Sequence, residues 1–288
     1  VPERVLADGS VKDSLDEDAL NAALDNLKDE GVEALAVCFL FSYLNPEHED
    51  RVGAIIRSKF PGMYTSLSSQ VIPQIKEFDR LSTTVINSYV GPVLGRYLEN
   101  LQNRLTSFQQ AGDFLIMQSN GGVAPIEDSR RLAVRSILSG PAGGVAGAAA
   151  YGGLVGASDL IAFDMGGTST DISLIENGEP YLSTEKFEAG WKISVPMIDI
   201  HTMGAGGGSI ASVGPGGIMH VGPESAGATP GPAAYDKGGD RPTVTDANLA
   251  LGYLDAGNFL GGAAKLDASL AEKAILAHVA EPVNLSMI

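Results

Sequence analysis

Residues 164–171 have the sequence Asp-Met-Gly-Gly-Thr-Ser-Thr-Asp and follow a short apolar run at 160–163. Paired glycines after a strand let backbone N–H groups approach a phosphate without obstruction by a Cβ atom. The flanking acids, Asp164 and Asp171, can hold a hydrated Mg²⁺, which binds one or two carboxylates plus phosphate oxygens. We therefore assign them as the catalytic, metal-binding pair. A tight Gly-Gly hairpin with aspartates as turn residues is the alternative. The candidate phosphate-binding residues are Gly166, Gly167, Thr168, Ser169 and Thr170.

The residues after this stretch predict that it lies in a β-hairpin. Ile172 and Leu174 alternate with polar residues, and Asn177-Gly178 is a typical hairpin turn. Two other phosphate-binding patterns are absent from the sequence. It contains no Gly-x-x-x-x-Gly-Lys-Ser/Thr, and the nearest approach to Gly-x-Gly-x-x-Gly, at 204–209, has serine at the third glycine position. Neither a P-loop nor a Rossmann dinucleotide site is expected.

A second group of candidates follows a predicted strand at 193–200. Asp199 and His201 lie on the same side of that strand if it stays extended, where they can ligate a metal or act as acid and base. Alternatively, His201 donates to a carbonyl or Asp199 caps the turn. With Asp164 and Asp171 they form the candidate metal set. The glycine loop that follows is expected to contact nucleotide or substrate, or to be only a flexible turn; its candidates are Gly206, Gly207 and Gly208.

The first half of the chain alternates helix and strand patterns. The apolar run at 34–41 is typical of a strand buried on both faces. Apolar residues then recur every four positions from Leu81 to Leu105, which predicts one long helix or two helices broken at Gly91-Pro92. This rhythm favours a mostly parallel sheet covered by helices. Most of the 36 glycines lie from Gly140 onward, so we predict two domains, 1–140 and 141–288.

Composition narrows the classes of partner. The 288 residues carry a formal net charge of −16, which disfavours nucleic acid and anionic membrane surfaces as partners, because both need clustered Lys and Arg. No segment has the composition of a membrane span. The single cysteine, Cys38, cannot form an internal disulfide, which favours a reducing, cytoplasmic compartment.

The hairpin sequence resembles the second phosphate loop of the actin-like ATPase superfamily, whose ribonuclease H-like architecture has two α/β lobes. Further motifs occur in an order similar to the central region of the hydantoinase/oxoprolinase family, in its hydantoinase A-type subunit. They cover nearly the whole chain, at 41–48, 82–84, 139–145, 199–209, 221–227, 230–233 and 243–248.

This resemblance implies ATP-dependent, Mg²⁺-assisted opening of cyclic amides such as hydantoins or 5-oxoproline. The implied chemistry is phosphorylation of a carbonyl-derived oxygen, which creates a leaving group. Acetone carboxylase relatives instead activate a ketone and bicarbonate. The family also implies a partner subunit or domain of the hydantoinase B type.

The chain departs from the family pattern in three respects. Gly-Gly-Thr occurs once, at 166–168, whereas actin-like ATPases carry a second such loop near the N-terminus; together with its early end after Glu281-Pro282, this predicts a fragment incomplete at both ends. Many members carry cysteine at the position of Ala234. A nucleotide switch or filament protein and a non-catalytic assembly fragment therefore remain alternatives.

The small-residue helix near 143–150 is expected to act as a hinge or to pack tightly in the core. Thr245 and Asp246 are expected first to cap a helix.

Overall fold

The computed structural model describes residues 1–107, 112–188 and 190–286. The helices are α1 (Glu17–Asp29), α2 (Glu47–Lys59), α3 (Ser68–Val71), α4 (Glu77–Ser107), α5 (Ile126–Arg131), α6 (Ser139–Val155), α7 (Val244–Ala250) and α8 (Ala268–Ile275). The strands are β1 (Arg4–Val5), β2 (Val11–Asp13), β3 (Ala34–Val37), β4 (Tyr64–Leu67), β5 (Leu115–Met117), β6 (Val123–Pro125), β7 (Leu160–Met165), β8 (Thr170–Glu176), β9 (Glu179–Pro180), β10 (Leu182–Ser183), β11 (Lys186–Glu188), β12 (Trp191–Ile193), β13 (Met197–Ile198), β14 (His201–Met203), β15 (Ser209–Val213) and β16 (Met219–Ser225). The predicted α/β class is confirmed.

The chain divides into two compact units that differ from the predicted domains. The first unit comprises Val1–Ser158 and Gly178–Asp199, and the second comprises Asp159–Asn177 and Ile200–Ile288. The predicted boundary at 140/141 does not coincide with the limits of these units. Helix α6 belongs to the first unit, where it packs on β5, and 178–199 supplies core residues to the same unit. That core is formed by Val71, Ile72, Leu132, Val134, Ile193, Val195 and Met197.

A parallel strand pair forms the α/β part of the first unit. Strands β3 and β4 run parallel, from the Ala34–Tyr64 pair to the Val37–Leu67 pair. Helices α1 and α2 pack beside them through a buried cluster. Among the described residues every other strand ladder is antiparallel, so the expectation of a mostly parallel sheet is wrong. The cluster between the helices is Leu20, Leu24, Val52 and Ile56.

Helix α4 is long and uninterrupted, with Pro92 inside it. The apolar row that predicted this helix faces away from the core, with Tyr89 83% exposed and Val93 64% exposed. The buried side is polar and made of small residues. Its hydroxyl and amide groups are satisfied: Thr83 donates to the Asp79 carbonyl at 2.8 Å, and Asn87 donates to Ser66 Oγ at 2.9 Å. The pattern thus predicted the helix but not its buried face.

The second unit is built on a small antiparallel sheet. Its strand order is β14–β8–β7, and a separate hairpin joins β15 to β16. Helices α7 and α8 pack through a cluster around Leu249, Leu266 and Ala271. Within the described ranges, no helix has the length and apolar character needed to cross a bilayer.

Candidate functional site

The 164–171 segment forms the turn of an antiparallel hairpin, as predicted. Strands β7 and β8 pair in register up to the Asp164–Asp171 and Met165–Thr170 pairs. The four loop residues between them are closed by the Gly166 N–H, which donates to the Ser169 carbonyl at 2.9 Å. The loop is therefore a turn closed by a backbone hydrogen bond of its own.

Three consecutive backbone amides of this loop have no acceptor within the described protein. Across the described part of the chain, the N–H groups of Gly167, Thr168 and Ser169 donate to no protein acceptor. Gly167 and Thr168 are exposed, and Ser169 is half-buried. Successive free N–H groups in a turn form a concave receptor for anions. These three residues fit the phosphate oxygens of a nucleotide.

Thr170 has a different role from the one expected. Its side chain is fully buried, and its hydroxyl donates to the carbonyl of Ala205. The hydroxyl is therefore engaged inside the protein and is not presented to a ligand. Thr170 connects the hairpin to the following glycine loop.

The glycine loop lies against the hairpin loop and supports it. The Gly207 N–H donates to the Gly166 carbonyl at 2.9 Å, and the Gly208 N–H donates to the Gly167 carbonyl at 2.6 Å. The Gly206 N–H donates to Ser209 Oγ at 2.8 Å. All three amides predicted to bind a cofactor are thus engaged within the protein, so their N–H groups support the loop rather than face a phosphate.

The limited space around Gly206 explains why this position needs glycine. A Cβ atom on Gly206 would lie 2.7 Å from the backbone C and N atoms of Thr168 and 2.8 Å from the Gly166 oxygen. These are backbone atoms, which have little freedom to move away. By contrast, Gly204 has no atom within 4 Å of the equivalent point. The close approach of the two loops therefore requires glycine at Gly206, and also at Gly208, where an added Cβ would lie 2.9 Å from the Gly167 oxygen.

The start of α7 is fixed by a reciprocal cap. Thr243 is the N-cap residue, and its side chain and the Asp246 side chain form a capping box. The fully buried Asp246 carboxylate also accepts the N–H groups of Ala233 and Ala234, at 3.2 and 2.8 Å. The expected capping role of Asp246 is confirmed. Thr245 lies inside the helix instead, and both its N–H and its hydroxyl donate to the Gly207 carbonyl at 2.8 Å.

The two aspartates of the hairpin lie on one face of the sheet, because cross-strand partners share a face. Asp164 is exposed, and Asp171 is half-buried. The Asp171 carboxylate accepts the Thr202 hydroxyl at 2.6 Å, which orients it. Two adjacent carboxylates beside free amides suit a hydrated Mg²⁺ bridged to phosphate, since Mg²⁺ takes few protein ligands and keeps several waters.

The wider metal set is not assembled. Asp199 lies outside β14 and its N–H donates to the Tyr181 carbonyl at 2.8 Å, while His201 begins β14 opposite Ile172. The extended strand that would align them is therefore absent. Within the described ranges, no three His, Cys, Asp or Glu side chains form a group that could hold a metal ion. Of the predicted metal set, the hairpin pair is left as the candidate cation site.

Sequence reasoning missed one contact of the hairpin and one of the glycine loop. Thr202 donates to Asp171, 31 residues away in the sequence, and Thr245 donates to Gly207, 38 residues away. No local pattern marks such a contact.

A cleft of about 990 Å³ lies in the first unit beside Phe60 and includes none of the candidate residues.

Comparison with known proteins gives a consistent family assignment. The model described as hydantoinase/oxoprolinase matches residues 80–288, and the model of its N-terminal region matches residues 1–60. The alpha subunit of caprolactamase from Pseudomonas jessenii is 44% identical over 284 residues, which cover 99% of this chain and 41% of that one. The 5-oxoprolinase of Saccharomyces cerevisiae is 42% identical over 243 residues, or 83% of this chain and 18% of that one.

Solved structures support the same family assignment. The crystal structure of ATP-dependent caprolactamase from Pseudomonas jessenii superposes with a TM-score of 0.83 at 44% identity, over 99% of this chain and 41% of that one. A nucleotide-free structure of acetone carboxylase superposes with a TM-score of 0.74 at 32% identity, over 99% of this chain and 41% of that one. The chain thus spans about two fifths of the length of these proteins.

Proposed function

Because this chain belongs to the hydantoinase/oxoprolinase family, we propose that it is the phosphate-binding part of an enzyme that uses ATP to open cyclic amides. The observation that carries the proposal is the hairpin loop. Its three free N–H groups lie beside a directly paired couple of carboxylates. Caprolactamase and 5-oxoprolinase, whose names specify cyclic amides, support the same class of substrate.

The residues have separate roles in this proposal. The N–H groups of Gly167, Thr168 and Ser169 hold phosphate oxygens of ATP, with the closed Gly166 turn setting their direction. Asp164 and Asp171 would hold Mg²⁺, which would neutralise charge on the phosphates. Catalysis of phosphoryl transfer depends mainly on such positioning and charge stabilisation. The glycine loop at 206–208 keeps the phosphate loop in shape.

The proposed chemistry explains why ATP is consumed. The carbonyl oxygen of the cyclic amide attacks the γ-phosphorus of ATP, an O–P bond forms, and the bond to the leaving ADP breaks. Water then adds to the activated carbon, and the C–N bond of the ring breaks as the nitrogen takes up a proton, which leaves an acyl phosphate. A second water attacks the acyl carbon, and phosphate leaves with the former carbonyl oxygen. An amide oxygen that was a poor leaving group leaves as phosphate.

We also propose the wider architecture as an actin-like, two-lobed ATPase in which a second phosphate loop and a partner subunit of the hydantoinase B type complete the site. The single Gly-Gly-Thr of this chain supports the need for a second loop. The designation of the caprolactamase chain as a subunit supports the need for a partner.

An acetone carboxylase-like activity is the second candidate. The superposition on acetone carboxylase, with a TM-score of 0.74, favours it. In that case the phosphorylated oxygens belong to a ketone-derived enolate and bicarbonate. The phosphate loop has the same role in both reactions, so the substrate must be identified by assay.

The first test is binding of Mg·ATP by calorimetry to the wild-type protein and to Asp164→Asn. We expect Mg²⁺-dependent binding to the wild type and at least tenfold weaker binding to the variant. An exposed control, Asp240→Asn, should bind as the wild type does. Wild-type protein in its complete form, with its partner subunits, that binds no nucleotide would refute the proposal.

The second test identifies the reaction. ADP release by the complete protein is measured with lactams and hydantoins, and separately with ketones plus bicarbonate. Stimulation by cyclic amides, with one ring opened per ADP formed, supports the hydrolase. Stimulation only by ketone and bicarbonate supports the carboxylase instead.

A further inference from the structure

Thr245 supports the phosphate loop, residues 166–169, indirectly through Gly207. Its hydroxyl and its N–H both donate to the Gly207 carbonyl at 2.8 Å. On its other side, the same Gly207 residue donates its N–H to the Gly166 carbonyl at 2.9 Å. Gly207 is therefore held from both sides, between α7 and the phosphate loop.

The hydroxyl of Thr245 is not required to begin α7. That task belongs to Thr243 and Asp246, which form the capping box. Thr245 is only 9% exposed, and its Oγ1 would lie 2.8 Å from a Cβ atom placed on Gly207. A buried hydroxyl that contacts a loop rather than its own helix indicates a role in the loop.

Gly207, which accepts from Thr245, is itself hydrogen-bonded to the loop that contains the free amides. Gly166 accepts from Gly207, and Gly167 accepts from Gly208 at 2.6 Å. A shift of the Gly207 peptide would therefore move both carbonyls of the phosphate-loop glycines and rotate the adjoining N–H groups. Because hydrogen bonds weaken steeply when the donor angle falls below about 120°, such rotations would weaken the binding of phosphate.

We propose that Thr245 is a positioning residue for nucleotide phosphate binding: it holds Gly207 so that the 166–169 loop keeps its N–H groups directed at the phosphates. This inference rests on the function proposed above, because it assumes that the ligand of the loop is a nucleotide phosphate. In this proposal Thr245 acts through Gly207 and not by direct contact with the nucleotide.

The test compares Thr245→Val with Thr245→Ser. Valine keeps the shape and the backbone N–H contact but removes the hydroxyl donor, whereas serine restores it. Thr84→Val is the matched control, since Thr84 is also buried and donates its hydroxyl to a backbone carbonyl, that of Arg80 at 2.6 Å, within α4. The readouts are the Kd and KM for Mg·ATP and the kcat of the complete protein, and amide hydrogen exchange of the peptide spanning 204–210.

We expect Thr245→Val to raise the Kd and KM for Mg·ATP about tenfold while kcat changes less than threefold, because the loop binds phosphate in the ground state and in the transition state alike. Exchange of the 204–210 peptide should accelerate. Thr245→Ser should restore all values to within about twofold, and Thr84→Val should leave the nucleotide constants unchanged.

The possible outcomes separate this inference from the proposed function. If wild-type protein binds Mg·ATP and Thr245→Val binds it equally well, the positioning role is refuted while the proposed function stands. If Thr84→Val weakens ATP binding as much as Thr245→Val does, the effect is general destabilisation and the inference is refuted too. If the wild type binds no nucleotide, the proposed function fails and takes the nucleotide role of Thr245 with it, even where hydrogen exchange shows the contact.

Discussion

Asp164 and Asp171 are direct cross-strand partners in the β7–β8 hairpin, so two carboxylates of the same charge lie side by side at the turn. Like charges in this arrangement are destabilising, typically by about 0.2–1 kcal/mol. The Thr202 hydroxyl offsets part of the charge on Asp171, but Asp164 is exposed. A cation bound between the carboxylates would convert the repulsion into attraction.

The first prediction follows from this repulsion. Asp164→Asn should raise the free energy of unfolding of the ligand-free protein by about 0.5 kcal/mol, because it removes one of the two like charges. Mg·ATP at 100 times the wild-type Kd should stabilise the wild type by about 2.7 kcal/mol, and tenfold weaker binding would leave the variant about 1.4 kcal/mol of this stabilisation or less. Urea denaturation with and without Mg·ATP measures both effects.

Asp240→Asn is the control, since Asp240 is exposed and lies outside the hairpin. It should change the free energy of unfolding by less than about 0.5 kcal/mol and keep the response to Mg·ATP. A ligand-free Asp164→Asn protein that is clearly less stable than the wild type would show that Asp164 has a structural partner and that the repulsion argument is wrong.

The second prediction concerns Gly206. Gly206→Ala should lower the free energy of unfolding by about 2 kcal/mol or more, because the new Cβ would meet backbone atoms of Thr168 and Gly166 at 2.7–2.8 Å. It should also abolish nucleotide binding, since the phosphate loop must move. Gly204→Ala lies in the same loop with open space around the added atom and should be nearly neutral. Equal effects of the two substitutions in thermal unfolding would contradict the close approach of the loops.

The third prediction concerns the buried carboxylate of Asp246. Asp246→Asn should lower the free energy of unfolding by about 3 kcal/mol, because the amide cannot accept all the donors that the carboxylate accepts. These donors are the N–H groups of Ala233, Ala234 and Thr243 and the Thr243 hydroxyl. The exposed Asp236 has a φ of 53°, which asparagine adopts readily, so Asp236→Asn is the control. Denaturant titrations in which both variants match the wild type would show that the hydrogen bonds to Asp246 do not stabilise the fold.

Local signals predicted the parts of the site that are local in the chain. Asn177 has a φ of 54°, as the predicted hairpin turn requires, and the DMGGTSTD segment occupies the other turn of the sheet. The run of small residues near 143–150 likewise predicted the helix that the structure shows as α6. In each case the residues that determine the structure are neighbours in the sequence.

Contacts between distant residues determined the rest. The apolar run at 34–41 predicted one strand, but β3 ends at Val37. Glu49 accepts the Phe39 N–H at 2.9 Å, and Arg80 donates to the Phe39 carbonyl at 2.6 Å. Two buried ionisable side chains thus take the backbone groups that a longer strand would have used, and no periodicity within 34–41 shows this.

The face of α4 that is buried could not be inferred from periodicity for a related reason. The spacing from Leu81 to Tyr97 predicts a helix, and hydrophobicity predicts that this row is inside. The structure instead buries Thr83, Asn87 and Ser88, whose polar groups have partners on other elements, such as the Leu35 carbonyl for Ser88 at 2.8 Å. Burial of polar residues becomes favourable only when these partners are in place.

The last prediction uses the pKa of Tyr64. Its hydroxyl donates to the Arg130 carbonyl at 2.7 Å and accepts from Asn87 at 3.3 Å, and burial raises the pKa of this phenol above its usual value of 10.0. Because the folded state then holds its proton more tightly than the unfolded chain, the stability from this group is complete below about pH 10 and is lost as the pH rises through the folded pKa.

Tyr64→Phe should lower the free energy of unfolding at pH 7 by about 1 kcal/mol, yet its stability should fall less steeply than that of the wild type above about pH 10. Urea titrations from pH 7 to 11 measure the difference, and Tyr89→Phe, at an exposed tyrosine, should be within about 0.5 kcal/mol of the wild type at pH 7. Parallel wild-type and Tyr64→Phe profiles above pH 10 would show that the phenol does not contribute to the alkaline loss of stability.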